Sequence, residues 1–283
     1  MTSGAGSAKE RPAPRRRAGA FTVGPHRREV ITAFGAVLRR DLYATSRELP
    51  AFLAQVILQP LFLLFVFGRV LGELGLTRPG YTDLLFPGIV ALTALLTALQ
   101  RTAFPLVIDF SFTKEIEDRL LAPLPVGWLA LEKILFAALQ GLIAAALMFP
   151  IGALILTDLP LRAAGIPLAV AVLLLGSLVG GALGLTIGTL VPPTKINVVF
   201  ALVLTPILFT GSSQYPWLSL DRLRWFQVVT AANPLTYASE GMRAALTPSS
   251  PTSRPGICLL VLTVALVALA ALGTRGFLRR AVD

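Results

Sequence analysis

Histidine and cysteine occur once each in these 283 residues, as His26 and Cys258. His26 falls in a polar stretch and Cys258 inside an apolar run. The chain therefore offers no disulfide framework, no Cys/His zinc cluster and no Ser/His or Cys/His nucleophile pair within a membrane. Charge is scarce too: Asp, Glu, Lys and Arg make up 14% of the chain against 55% hydrophobic residues, and the mean hydropathy is +0.75. That balance excludes a water-soluble surface. The sequence has no G-x-x-x-x-G-K-[ST] phosphate cradle, because none of its lysines (Lys9, Lys114, Lys133, Lys195) follows the required glycines. The apolar runs carry no set of acidic residues at mid-membrane depth. Asp109, Asp158 and Asp221 fall at run ends or between runs, which argues against a proton relay and hence against an ion-coupled carrier.

What remains is apolar sequence in lengths that suit a bilayer, about 20 residues per crossing. The runs predict an all-α membrane protein with six transmembrane helices: 51–71, 83–108, 130–156, 165–191, 196–212 and 257–273. Residues 1–27, rich in Gly, Ala, Pro and Arg, read as a disordered basic tail, and residues 28–280 as one transmembrane domain. At the start of that domain, from Arg28 to Leu49, Val30, Ile31, Phe34, Val37, Leu38, Leu42 and Tyr43 recur at helical spacing among Arg39, Arg40, Asp41, Arg47 and Glu48. This is the pattern of an amphipathic helix lying on the membrane surface.

Six crossings put both termini on one side, and the charges say which. Of the 25 Lys and Arg residues, 17 fall on the side of the termini and 6 on the opposite side, with Arg69 and Arg101 near helix ends. Positive residues stay inside, so both termini are expected in the cytoplasm of a multi-pass protein of the cell inner (plasma) membrane. The net charge of +10 is placed as a membrane protein places it, and no nucleic-acid partner is expected.

Two polar segments stand out. The first, between the second and third runs, reads Glu115-Ile116-Glu117-Asp118-Arg119-Leu120-Leu121-Ala122-Pro123-Leu124-Pro125-Val126. A charged turn, two leucines and two helix-stopping prolines describe either a short helix parallel to the membrane, suited to docking a soluble partner, or an ordinary solvated connector. The second lies between the fifth and sixth runs, some 40 residues long, and carries Trp217, Trp225 and Phe226, which suit a membrane interface. It contains Asn233-Pro234-Leu235-Thr236-Tyr237-Ala238-Ser239-Glu240-Gly241-Met242-Arg243. Asn233 fits an N-cap and Pro234 the first helical position. Leu235, Ala238, Met242 and Ala245 form one apolar stripe, and Glu240 and Arg243 are spaced to pair. The result is a short helix dipping into the outer leaflet, or a capped surface helix that only packs.

The run from Glu117 to Val126, with Glu132-Lys133 opening the next helix, resembles the cytoplasmic loop of permease subunits of type-2 ABC exporters. It has one residue more between Leu-Leu-Ala and the second proline than the drug-export form E-x-L-L-A-T-P-V. The segment Asn233-Pro234-Leu235-Thr236-Tyr237 with Glu240 and Arg243 is similar to the N-P-L-T-Y…E-x-x-R segment of the same permeases. The resemblance implies that Asn233, Pro234, Tyr237, Glu240 and Arg243 belong to short re-entrant helices before the last crossing, capping the outer end of a substrate path. It also implies that Glu115, Glu117, Asp118, Arg119, Leu120, Leu121, Pro123 and Pro125 couple the chain to a separate ABC ATPase subunit. ATP and Mg would bind that partner, with no cofactor on this chain, and the permease would form a homodimer or a heterodimer with a second permease amid membrane lipid.

Inside the runs, Gly176, Gly180, Gly184 and Gly188 mark one helix face for close packing within the subunit or for a sliding gate surface. Gln55, Gln59 and Gln100 are candidate path-lining residues; Arg101 either snorkels to the inner headgroups or joins that path. No catalytic residues are expected. A stand-alone channel or secondary carrier, a membrane-embedded enzyme and a structural assembly subunit are the other classes. The cargo, an amphipathic drug, a lipid or a lipid-linked glycan, stays open. A tag on the N-terminus is expected to be reachable only from the cytoplasm; labelling from outside intact cells would overturn the orientation.

Overall fold

The computed structural model describes residues 49–108, 126–156, 161–247 and 252–282, together with Gly35, Arg39 and Leu159. Within them the chain is helical. α1 (Leu49–Leu63) runs on through a π-helical stretch, Leu64–Val70, and a last turn, Leu71–Glu73. Then come α2 (Tyr81–Ile108), α3 (Val126–Ile155), α4 (Ile166–Leu190), α5 (Ile196–Thr210), α6 (Arg224–Ala231), α7 (Pro234–Leu246) and α8 (Pro255–Val282). The interfacial helix expected over 28–49 and the loop over 109–125 lie outside the described residues, apart from Gly35, Arg39 and the first residue of α1.

Four helices among the described residues are long and apolar enough to cross a membrane: α2, α3, α4 and α8. Their boundaries follow the sequence with two extensions. α3 begins at Val126, directly after Pro125, rather than at Ala130, and α8 continues past Gly273 to Val282. Glycine weakens a helix by only about 1 kcal/mol, which a packed neighbour overrides. α5 is shorter, 15 residues. The first apolar run is a single helical stretch by position but changes hydrogen-bond register after Leu63.

The most and the least apolar of these four helices invert the usual order of burial. α8 is the most apolar of the four yet mostly exposed, whereas α2, the least apolar, is mostly buried. In water the most apolar helix would be innermost. Here lipid covers the apolar surface, and the interior goes to the helix that packs on every side. α2 is buried from Leu85 to Leu99 without a break. Its threonines answer their own polar groups: Thr93 Oγ1 donates to the Ile89 carbonyl at 2.8 Å and Thr102 Oγ1 to that of Ala98 at 3.0 Å.

Small residues let α4 lie against α2. A Cβ on Gly180 would collide with the carbonyl oxygen of Leu95, and one on Gly184 with that of Leu99. At Gly188 it would come within 2.9 Å of the Leu106 side chain, whereas at Gly176 the nearest atom is the Ala238 Cβ, at 3.5 Å, on α7. Gly181, beside this row, turns to the Ile134 backbone of α3. With no hydrophobic force to drive helices together in lipid, such backbone approach supplies the van der Waals contact that replaces it. Gly180→Ala is expected to destabilise by roughly 1–3 kcal/mol through overpacking, read as a fall in the thermal midpoint in detergent, and Gly176→Ala to leave it nearly unchanged. Equal behaviour of the two would refute the close-approach account.

Candidate functional site: a buried ion pair at one end of the bundle

The segment from Gly211 to Thr247 folds over one end of α2 and α4. Asn233 has extended backbone, and its Oδ1 accepts from the Leu235 amide at 2.9 Å, satisfying a donor that the first turn of α7 leaves open. Its Nδ2 donates to the Ile207 carbonyl and to Thr210 Oγ1, both at 3.0 Å, which ties the start of α7 to the end of α5. Pro234 occupies the first helical position, where its missing N–H costs nothing. Thr236 and Tyr237 donate to the carbonyls of Thr230 and Ala231 and fold α6 against α7. Leu235, Ala238, Met242 and Ala245 are all buried, and α7 packs against α2, α4 and α8.

At the centre lies Arg243, with 0% of its surface exposed. An unpaired guanidinium there would be very costly, and four of its five N–H groups have acceptors. Nη1 pairs with Glu240 Oε1 at 3.0 Å. Nε donates to the Leu84 carbonyl at 2.8 Å, and Nη2 to the carbonyls of Ser212 and Ser213 at 2.6 and 2.9 Å. Glu240, likewise 0% exposed, accepts from the Trp217 amide at 2.9 Å and, through Oε2, from the Ser253 amide at 3.0 Å. One pair of side chains thus binds α7 to the first turn of α2, to the loop after α5, to the turn at Trp217–Leu220 and to the residues leading into α8.

The surroundings are shaped to admit it. A Cβ on Gly88 would collide with the Ser213 carbonyl and come within 2.9 Å of Arg243 Nη2, so α2 needs a bare backbone there. Ser212 adopts φ 53°, the left-handed region that disfavours side chains, and its Oγ donates to the Tyr215 carbonyl at 2.7 Å. Tyr215 in turn donates from its hydroxyl to the Phe209 carbonyl at 2.7 Å. Burial pushes its phenol pKa up, against the lowering effects of a Ser212 backbone hydrogen bond and the Arg243 charge. Trp217 Nε1 donates to the Gln227 carbonyl and Gln227 Nε2 to that of Trp217, which holds α6 to the preceding turn. Trp225 and Val228 on α6 stay exposed.

Residues 32–247 match the pattern of the family described as ABC-2 type transporter. This chain belongs to the ABC-2 type transporter family. It is also similar to the protein named "Putative transport permease ycf38" of Cyanophora paradoxa, 29% identical over 236 residues that cover 76% of this chain and 74% of that protein. An ABC-2 chain is the membrane subunit of a transporter, and the family implies association with an ATPase subunit. Among the described residues no three His, Cys, Asp or Glu side chains group as metal ligands.

The structure brings Asn233, Pro234, Tyr237, Glu240 and Arg243 into the one end-cap. Gln59 and Gln100 share a small cavity of about 30 Å³ between α1 and α2, with Pro60, Thr93 and Thr97; Gln55 lies on α1 but its side chain is outside the described residues. Glu115, Glu117, Asp118, Arg119, Leu120, Leu121, Pro123 and Pro125 are outside them as well. Sequence reasoning missed Gly88, Ser212, Ser213 and Ser253. The last three act through backbone groups, for which the side chain gives no signal, and Gly88 could have been noticed only as an isolated glycine inside an apolar helix.

Arg243→Met leaves the Glu240 carboxylate buried without its partner and is expected to cost about 3–5 kcal/mol, measured as thermal unfolding in detergent. Arg243→Lys should not rescue it, since a compact ammonium cannot reach four acceptors held in fork geometry. The double variant Glu240→Leu with Arg243→Met should lose much less than the sum of the two single changes; strictly additive losses would show that the pair is not coupled.

Proposed function

We propose that this chain is the membrane subunit of an ATP-driven exporter that moves an amphipathic drug, a lipid or a lipid-linked glycan out of the cytoplasm. The observation that carries the reading is the family match over residues 32–247, joined to a sequence that has no phosphate-binding cradle of its own. Energy then comes from a separate ATPase, with ATP and Mg bound there. The permease acts as a homodimer or with a second permease.

In this reading the chain crosses the plasma membrane six times, through residues 49–73, α2, α3, α4, α5 and α8, with both termini in the cytoplasm. The positive-inside count supports that orientation. α6 and α7 then form the re-entrant cap at the outer end, and the loop with Glu117, Asp118 and Arg119 is the contact that the ATPase pushes. Closure of the ATPase subunits around ATP shifts the bundle between two packings, and cargo follows because the outward state binds it less tightly. Gln59 and Gln100 are the polar groups of the path, a role in keeping with the cavity they share with Thr93 and Thr97. The glycine face of α4 holds the subunit together rather than sliding, in keeping with the backbone approach of Gly180 and Gly184 to α2.

The test is reconstitution in nanodiscs with and without the ATPase. Uphill movement of cargo is expected only with the ATPase and ATP present. Glu117→Ala with Arg119→Ala should reduce transport-coupled ATP hydrolysis several-fold while membrane levels hold. Uphill transport by the permease alone, or coupling untouched in the double variant, would overturn the proposal.

A further inference from the structure

α3 and α4 leave a groove between them on the side of α7. Leu142, Ala146 and Phe149 line one wall and Val170 the other, with Leu246, the last residue of α7, at the edge; the groove holds about 390 Å³. Alanine stands at 146 where leucine and phenylalanine flank it along the same wall, and that missing volume is what opens the space. Its walls are apolar, and Val170 in one of them is an exposed side chain. The groove therefore faces acyl chains and not an aqueous path. Along the groove, from Leu142 to Phe149, α3 rises about 10 Å at 1.5 Å per residue, against about 15 Å for half of a hydrocarbon core. The groove fits within one leaflet.

An exposed arginine follows its loop end in the chain. Leu161 also lines the groove, and the next residue, Arg162, is exposed, its carbonyl held by the Gly165 amide at 2.9 Å. We propose that this is a binding site for one phospholipid of the leaflet on the α7 side: an acyl chain fills the groove and the phosphodiester sits on the Arg162 guanidinium. A chain leaving the bilayer for the groove exchanges one apolar surrounding for another, so burial alone holds it weakly. The fork of the guanidinium on phosphate oxygens decides retention. A lipid seated there braces Leu246 and with it the C-terminal end of α7. The proposal needs the chain to lie in a membrane but does not depend on what it transports.

The experiment is native mass spectrometry of the complex after exchange into mild detergent containing palmitoyl-oleoyl phosphatidylglycerol, and separately phosphatidylcholine. Wild type is expected to retain one phospholipid per chain of either kind. Ala146→Phe, which fills the groove from an exposed position, should retain none, and Val170→Phe tests the same from the opposite wall if the first variant folds poorly. Arg162→Gln should lower retention about tenfold, the effect of one lost charge-assisted contact of about 1.4 kcal/mol. Retention unchanged in the groove variants, or no bound lipid in wild type, would overturn the site; unchanged retention in Arg162→Gln would overturn the headgroup contact. Loss of a dimer in Ala146→Phe without loss of lipid would assign the face to a second copy and equally overturn it. Transport is not scored, so a failure here is separate from a failure of the exporter reading.

Discussion

The desolvated pair of Arg243 and Glu240 sets the terms for one whole end of this molecule. A guanidinium removed from water needs acceptors in fixed directions, and it finds them in the carbonyls of Leu84, Ser212 and Ser213 as well as in the carboxylate. Those carbonyls belong to segments far apart in the chain. Each must come to a fixed place, and the demands spread outward: a bare Gly88 on α2, a left-handed Ser212, a proline-started α7 capped by Asn233. Against an apolar isostere, such a pair adds little stability. Its effect is specification, because other arrangements of the loop leave a buried charge unanswered.

The rest of the bundle is held by a different physics. Lipid tails are as apolar as leucine, so the crossings do not exclude each other from solvent as helices do in water. What distinguishes α2 from α8 is shape. α2 offers carbonyls that glycines on α4 approach directly, whereas α8 presents branched side chains to the surroundings, Leu260, Val264 and Val267 among them. The apolar body gives proximity through small residues, and the polar cap gives register through directed hydrogen bonds.

Much of this could be read from residue order. The long apolar runs located α2, α3, α4 and α8 because nothing else tolerates some 20 uncharged residues in sequence. Asn233-Pro234 announced a helix start, and the three-residue spacing of Glu240 and Arg243 announced their pairing. The π-helical register after Leu63 was not legible, since Leu64–Val70 has the composition of the helix on either side. The partners of Arg243 were hidden for a related reason: a carbonyl is the same in every residue, so Leu84 and Ser213 carry no mark of their use. The extension of α8 past Gly273 was missed because glycine reads as a stop in an isolated helix, while here Leu185 and Thr186 of α4 close around it at 3.0 Å from where a Cβ would stand.

α5, at 15 residues, rises about 22 Å, against a hydrocarbon core of about 30 Å. In the proposed six-crossing arrangement it is short by about one and a half turns of helix, and the adjoining bilayer would thin or the flanking groups reach outward to meet it. Because α5 ends where the Asn233 side chain grips Ile207 and Thr210, that elastic pull would be delivered directly to the cap. In that arrangement membrane thickness would become a mechanical input, able to load the Arg243 end of the bundle with no ligand involved.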